Sequence, residues 1–224
     1  MAWEERKKQG MRRRLSAGLS VIEVMLVLVI LGALIVLIMP RMRAASESNR
    51  ITRKVELMQG AIQLAQAEAR RLGISPTITS GGTATSSPQS PTTGFLYFRV
   101  VRRAAGDSKD TVLKQEQIGR ADITRIRFTR ADGTTVSTRT ITGYTAGSFF
   151  QVLHSSNPQL APDAAATQLA AVAFDPNGDV NSNSFPSGAT SLRIQVGNKS
   201  MSQILEINAR GATTITPGGP AITN

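Results

Sequence analysis

Leu19 to Met39 is a run of 21 residues in which Glu23 is the only charged side chain. A helix rises about 1.5 Å per residue, so a run of this length crosses the roughly 30 Å hydrocarbon core of a bilayer. The carboxylate sharpens the constraint. A charge deep in lipid costs roughly 2.5 to 3.5 kcal/mol on insertion scales, less near an interface, and such a group is kept where a partner exists. Two readings of Glu23 follow: a group held for a specific counter-charge, or one that sits at headgroup depth. The span holds no second ionisable residue, so it carries no proton relay.

The flanks show how the span is presented. Residues 1–18, "MAWEERKKQGMRRRLSAG", hold six basic and two acidic side chains and resemble the basic start of an export signal. No small-residue cleavage site follows the apolar run; the small step "SAG" precedes it. A cut there discards the basic leader and keeps the membrane helix. Arg41, Arg43, Arg50, Arg53 and Lys54 lie just beyond the span, so basic residues flank it almost equally and charge orients it weakly. The formal net charge of the 224-residue chain is +11, and loss of residues 1–18 reduces it to +7, a balance that suits an anionic partner such as nucleic acid or a lipid surface. Cysteine is absent, which removes disulfides, thiolate nucleophiles and sulfur-ligated metals.

A basic leader ending in Gly18, then Leu19, "SVIE" and a long apolar helix resembles the type IV prepilin signature of pilins and type II secretion pseudopilins. The resemblance implies cleavage between Gly18 and Leu19 by prepilin peptidase, N-methylation of Leu19, and Glu23 as the fifth residue of the mature chain. Leu19 stands where phenylalanine is most common, and Ser20 and Val21 are also variants. The family role of Glu23 is to meet the amino terminus of a neighbouring subunit. An unpaired carboxylate in a helix-packed core is penalised, so such a pair favours one axial register.

Pro40 closes the apolar run, and either a kink, as pilin-like helices often have, or a plain helix break is expected there. Beyond it Ile51, Val55, Met58, Ile62, Ala65, Ala69 and Leu72 recur every three or four residues, an apolar stripe on a polar helix. The stripe suits packing on the protein's own sheet, with a coiled-coil seam as the alternative. Gly73 and Pro76 stop the helix. Residues 74–93 are rich in Ser, Thr, Gly and Pro and read as a loop; Gly81-Gly82 lacks the Lys-Ser/Thr step of a phosphate cradle. From Gly94 on, seven short β-rich runs alternate with turn signals, a mainly antiparallel sheet.

In "RIRFTRADGTTVSTRT" a three-residue loop, Ala131 to Gly133 with Gly133 left-handed, sets Phe128 opposite Val136. The same register continued places Arg125 across from Arg139, with Arg127 beside Arg125. Like charges so placed need water or an anion. That makes Arg125, Arg127, Arg139, Arg102 and Arg103 the candidate anion-binding residues, with a solvated basic face as the plainer reading. "AFDPNGDV", "SLRIQV" and "ILEINARGATTI", with "AQAEARRLG" on the helix, resemble the closing strands and helix end of H-type minor pseudopilins and FimT-like minor pilins. Asp175 to Asp179 reads as a turn between strands, since Pro186 stands where a calcium loop needs glutamate. The sole histidine, His154, has only adjacent serines, Ser155 and Ser156. Triads are assembled in space rather than along the chain, so no catalysis is expected.

The expected fold is α+β and pilin-like: a leader at 1–18, a spine helix at 19–72 (19–39 transmembrane, 40–72 amphipathic), a loop at 73–93, a β-rich domain at 94–213 and a tail at 214–224. The resemblance implies a minor pseudopilin of a type II secretion pseudopilus or a minor pilin of a type IV pilus, single-pass in a bacterial inner membrane with its C-terminal domain in the periplasm, then in an envelope filament. The partners so implied are other pilins or pseudopilins, prepilin peptidase, the assembly platform with its ATPase, and membrane lipid before assembly, with no cofactor. A competence-type minor pilin holding DNA on the basic hairpin is the alternative.

Overall fold

A computed structural model of the chain describes residues 20–83, 93–121, 124–136, 139–161, 164, 166–197 and 201–218. Its first element, α1 (Val21–Leu72), is one helix of 52 residues. Ser20 opens it: the Ser20 carbonyl accepts the Val24 N–H at 3.1 Å. Gly73 ends it with φ +65°, its N–H on the Ala69 carbonyl at 3.0 Å, the left-handed cap expected from sequence. Helical backbone runs through Pro40, so the break considered as one outcome there does not occur.

The chain divides into two compact units, Met1–Glu47 and Ser48–Asn224. In the first, the apolar side chains from Val21 to Met39 have no protein cover, and none of the most apolar window of α1 is buried. This is the one helix among the described residues long and apolar enough to cross a membrane. In the second unit the expected stripe is buried except at its last residue, Leu72, which is half-buried. Val55, Met58, Ile62, Ala65 and Ala69 have no exposed surface, Ile51 is 6% exposed, and Ala61 joins them.

Eleven strands follow among the described residues: β1 (Ile78–Thr83), β2 (Phe95–Arg103), β3 (Thr111–Arg120), β4 (Thr124–Thr129), β5 (Thr135–Val136), β6 (Arg139–Tyr144), β7 (Gly147–Ser155), β8 (Thr167–Phe174), β9 (Ser191–Gly197), β10 (Ser202–Asn208) and β11 (Thr213–Pro217). They form a five-stranded sheet β11-β10-β9-β4-β5, a four-stranded sheet β3-β2-β7-β8 and a two-stranded sheet β1-β6. Every pairing of named strands is antiparallel. One buried cluster joins the α1 stripe to Leu96, Phe98 and Phe150 of the four-stranded sheet and to Phe128, Leu192, Ile194 and Leu205 of the five-stranded one. This is an α+β fold: a long, N-terminally apolar helix packed on a mainly antiparallel β domain.

A second cluster, Val101, Ile141, Tyr144, Phe149, Ala171 and Ala173, fills the space between the four-stranded sheet and the β1-β6 pair. That sheet is therefore covered on both faces over much of β7 and β8. Their unbroken burial, seven residues in β7 and six in β8, follows from this double cover. Three strands fall where none was expected. β1 lies inside the stretch read as a loop, β7 in "GSFFQVLHS", and β11 extends past residue 213.

The hairpin register is as read from sequence. Gly133 has φ +82°, Phe128 faces Val136 and Thr129 faces Thr135. Its continuation is not. β5 ends at Val136 and Arg139 opens β6, which pairs with β1, so Arg139 opposes Thr83 while Arg125 opposes Gln195.

Replacing Met58 by alanine empties a fully buried site and is expected to cost about 2 to 5 kcal/mol, whereas Gln63→Ala on the exposed face shifts stability by about 0.5 kcal/mol or less. Denaturant unfolding of the full chain in detergent, followed by circular dichroism, measures both.

Candidate functional site

Glu23 is the third residue of α1. Its Oε2 lies 3.4 Å from the backbone N–H of Ser20, which donates to it. "SVIE" is thus the reciprocal half of a capping box, in which a glutamate three residues past a serine cap turns back to an orphan N–H. The start of a helix also favours a carboxylate, by about 0.3 to 1 kcal/mol. The Ser-x-x-Glu spacing before an apolar run carries this signal in sequence, and it was not among the expectations. Gly18 and Leu19, the expected processing residues, lie outside the described residues. Pro40 is within helical backbone of α1.

The five candidate anion-binding arginines do not form one face. Arg102 and Arg103 end β2 in the four-stranded sheet. The Arg102 Nη1 is 2.8 Å from Glu68 Oε1, and Arg103 Nε is 2.9 Å from Asp110 Oδ1. Arg103 also lies over the Tyr144 ring at 4.2 Å and donates to the Tyr144 carbonyl at 2.9 Å. The Tyr144 hydroxyl donates to Asp110, and burial followed by that bond pushes its pKa up. These arginines work as internal ties. Arg139 belongs to the two-stranded sheet.

Arg125 and Arg127 stay together on β4. With Thr129, Gly133, Thr135, Gln195, Ile204 and Arg193 they line a concavity of about 100 Å³. Arg193 was not anticipated: it sits on β9 directly opposite Arg127. Only the pairing of β4 with β9, which no local pattern in the sequence specifies, brings these two cations together.

The helix end supplies a second constellation. Gln66 donates through Nε2 to the carbonyls of Gly178 (2.9 Å) and Gly211 (2.8 Å). Arg70 Nε donates to the Asn177 carbonyl at 3.3 Å. Three short segments singled out in sequence, "AQAEARRLG", "DPNGD" and "NARG", therefore meet at one side chain. Both glycines are left-handed, with φ +86° and +72°. A Cβ at Gly211 would lie 2.4 Å from the Gly178 carbonyl oxygen, so the approach needs glycine as well as the turn.

Asp175 to Asp179 is the expected turn, closed by Gly178 N–H to the Asp175 carbonyl at 2.8 Å. The Asp175 carboxylate accepts from Ser75 Oγ at 2.5 Å and Asn181 Nδ2 at 3.0 Å. His154 is a sheet-surface residue near the end of β7, its Nε2 2.8 Å from the Thr93 carbonyl oxygen. Among the described residues no three His, Cys, Asp or Glu side chains group as metal ligands.

A long spine helix, apolar at its start and packed at its end on antiparallel sheet, is the deciding observation. The architecture is pilin-like. No family model matches the sequence, and no curated protein or solved structure matches it. The likeness is one of architecture.

Glu68, on α1, accepts from Arg71 Nε at 2.9 Å and Nη2 at 2.8 Å as well as from Arg102. The Arg71 bonds first, then the one from Arg102, hold its pKa down at about 2 despite its burial. A depressed carboxylate stabilises the fold above its unfolded pKa, and that contribution is lost as pH falls toward the folded value. The melting temperature of the full chain is expected to fall as pH drops from about 4.5 to about 2, and Glu68→Gln flattens that part of the profile. Circular dichroism across a pH series reads both.

Proposed function

We propose that the protein is a structural subunit, a minor pseudopilin or minor pilin, that is stored in a bacterial inner membrane and assembled into an envelope filament through α1. The observation that carries this reading is the division of labour along the helix. The stretch from Val21 to Met39 is apolar and uncovered, while one face of the helix from Ile51 to Ala69 is buried against the β domain. A soluble domain has no use for an uncovered apolar surface of that length. A membrane followed by a filament core supplies two successive covers.

Within this reading, prepilin peptidase cuts between Gly18 and Leu19 and the new amine of Leu19 is methylated. Glu23 then has a definite task. In the single subunit its carboxylate is eased by Ser20 N–H and by the start of the helix. In the filament it exchanges that weak contact for the amine of a neighbour. A cation beside a carboxylate in a low-dielectric surrounding outweighs one long neutral hydrogen bond, so the exchange favours the register in which the two charges meet. The chain shows no phosphate-cradle motif for an ATPase. Force comes from an assembly platform and its motor. The periplasmic side is the side of the β domain.

The alternative of a broad DNA-binding face draws less support, because Arg102 and Arg103 are already held by Glu68 and Asp110. Arg125 and Arg127 are the members of that set that remain grouped.

Glu23→Gln keeps the size of the side chain and removes its charge. It is expected to leave membrane insertion and the leader-less intact mass unchanged, and to reduce co-assembly with partner pilins or pseudopilins about tenfold or more. Mass spectrometry of the membrane form and sheared-filament immunoblots read the two effects. An intact mass that retains residues 1–18 contradicts the reading.

A further inference from the structure

We infer that the concavity on the five-stranded sheet is a binding site for one small tetrahedral oxyanion of the phosphate or sulfate class. Arg127 on β4 and Arg193 on β9 are directly opposed across the strand pair. Like charges at such positions repel unless an anion or water separates them. Arg193 has a partial answer in Glu206 on β10, with Nε 3.0 Å from Oε2, yet that contact is off the line of a hydrogen bond. Arg127 has none. Among the described residues it makes no ion pair, and its buried Nε–H has no acceptor.

A buried guanidinium N–H without an acceptor is costly, and an oxyanion in the hollow relieves Arg127 while it screens the Arg127–Arg193 repulsion. Arg125 lines the same hollow two residues along β4, beside the polar side chains of Gln195, Thr129 and Thr135. Glu206 lies on the other side of Arg193 and does not line it. The hollow has a volume of about 100 Å³. A tetrahedral oxyanion offers several acceptor oxygens to the guanidinium groups that line the hollow. The site differs from the basic face read in the sequence: Arg193 replaces Arg139, and Arg102 and Arg103 stand apart. It is independent of Glu23 and of filament assembly.

Isothermal titration calorimetry of the full chain in detergent, with inorganic phosphate at constant ionic strength, tests this. Saturable binding of one ion per chain is expected. Arg127→Gln and, separately, Arg125→Gln should each weaken it about tenfold or more, while Arg53→Gln on the exposed helix surface leaves it unchanged. Since Arg127→Gln removes a repulsion, its unfolding temperature in phosphate-free buffer should equal or exceed that of the parent. A fall there, absence of phosphate heat, or heat unchanged in both β4 variants overturns the inference. A short DNA duplex that binds where phosphate does not overturns it in favour of a polyanion surface.

Discussion

Water is excluded from one side of α1 between Ile51 and Ala69, and the β domain is organised around that exclusion. The buried residues from this face reach both larger sheets in a single cluster. Three of them, Ala61, Ala65 and Ala69, recur every four residues and so form a row of small side chains along the helix. Small side chains let the sheets approach the helix closely, and the aromatic ones come from outside the helix: Phe98 and Phe150 on β2 and β7 stack at 6.0 Å between centroids, and Phe128 on β4 meets Phe185, in the connection between β8 and β9, edge-on at 5.6 Å. The helix contributes this alanine row together with Val55, Met58 and Ile62, and the aromatic bulk comes from outside it.

Polar ties at the helix end hold what packing alone leaves free to slide. Gln66 fixes two glycine turns from different parts of the chain, and Glu68 bridges α1 to β2 through Arg102. Dispersion between apolar surfaces is non-directional, so a helix resting on a sheet has several positions of similar energy. Directed bonds to carbonyls at 2.8 and 2.9 Å select one of them. A load on the helix reaches the β domain only if the two do not slip.

Much of this was legible in the sequence, for identifiable reasons. The stripe on α1 has the helical period, and Gly133 in "RADGTT" dictates a three-residue loop; both are local patterns with a geometric meaning, and both hold. β7 was missed because "SFFQVL" is buried on both faces and shows no alternation. β1 was missed because "ITSGGT" takes its strand geometry from pairing with β6 and not from its own composition. The extension of the hairpin to Arg139 failed because the chain leaves the five-stranded sheet after Val136, a choice made by tertiary pairing. The same kind of information, β4 beside β9, brought Arg193 to Arg127. The capping role of Glu23 is readable from Ser-x-x-Glu, a local spacing that the reading of Glu23 as a membrane charge awaiting a counter-charge does not use.

The central claim is that one continuous helix serves two solvents, lipid along its first half and protein along its second. The absence of cysteine makes this directly measurable, because single cysteines introduce the only thiols. Val29, Ile35 and Leu37 are exposed in the isolated chain, as are Glu56 and Gln63. With cysteine at each position in turn, in native membranes, a water-soluble maleimide should label positions 56 and 63 and leave 29, 35 and 37 unlabelled until the membrane is dissolved and the chain unfolded. Equal labelling at all five positions in intact membranes contradicts the account.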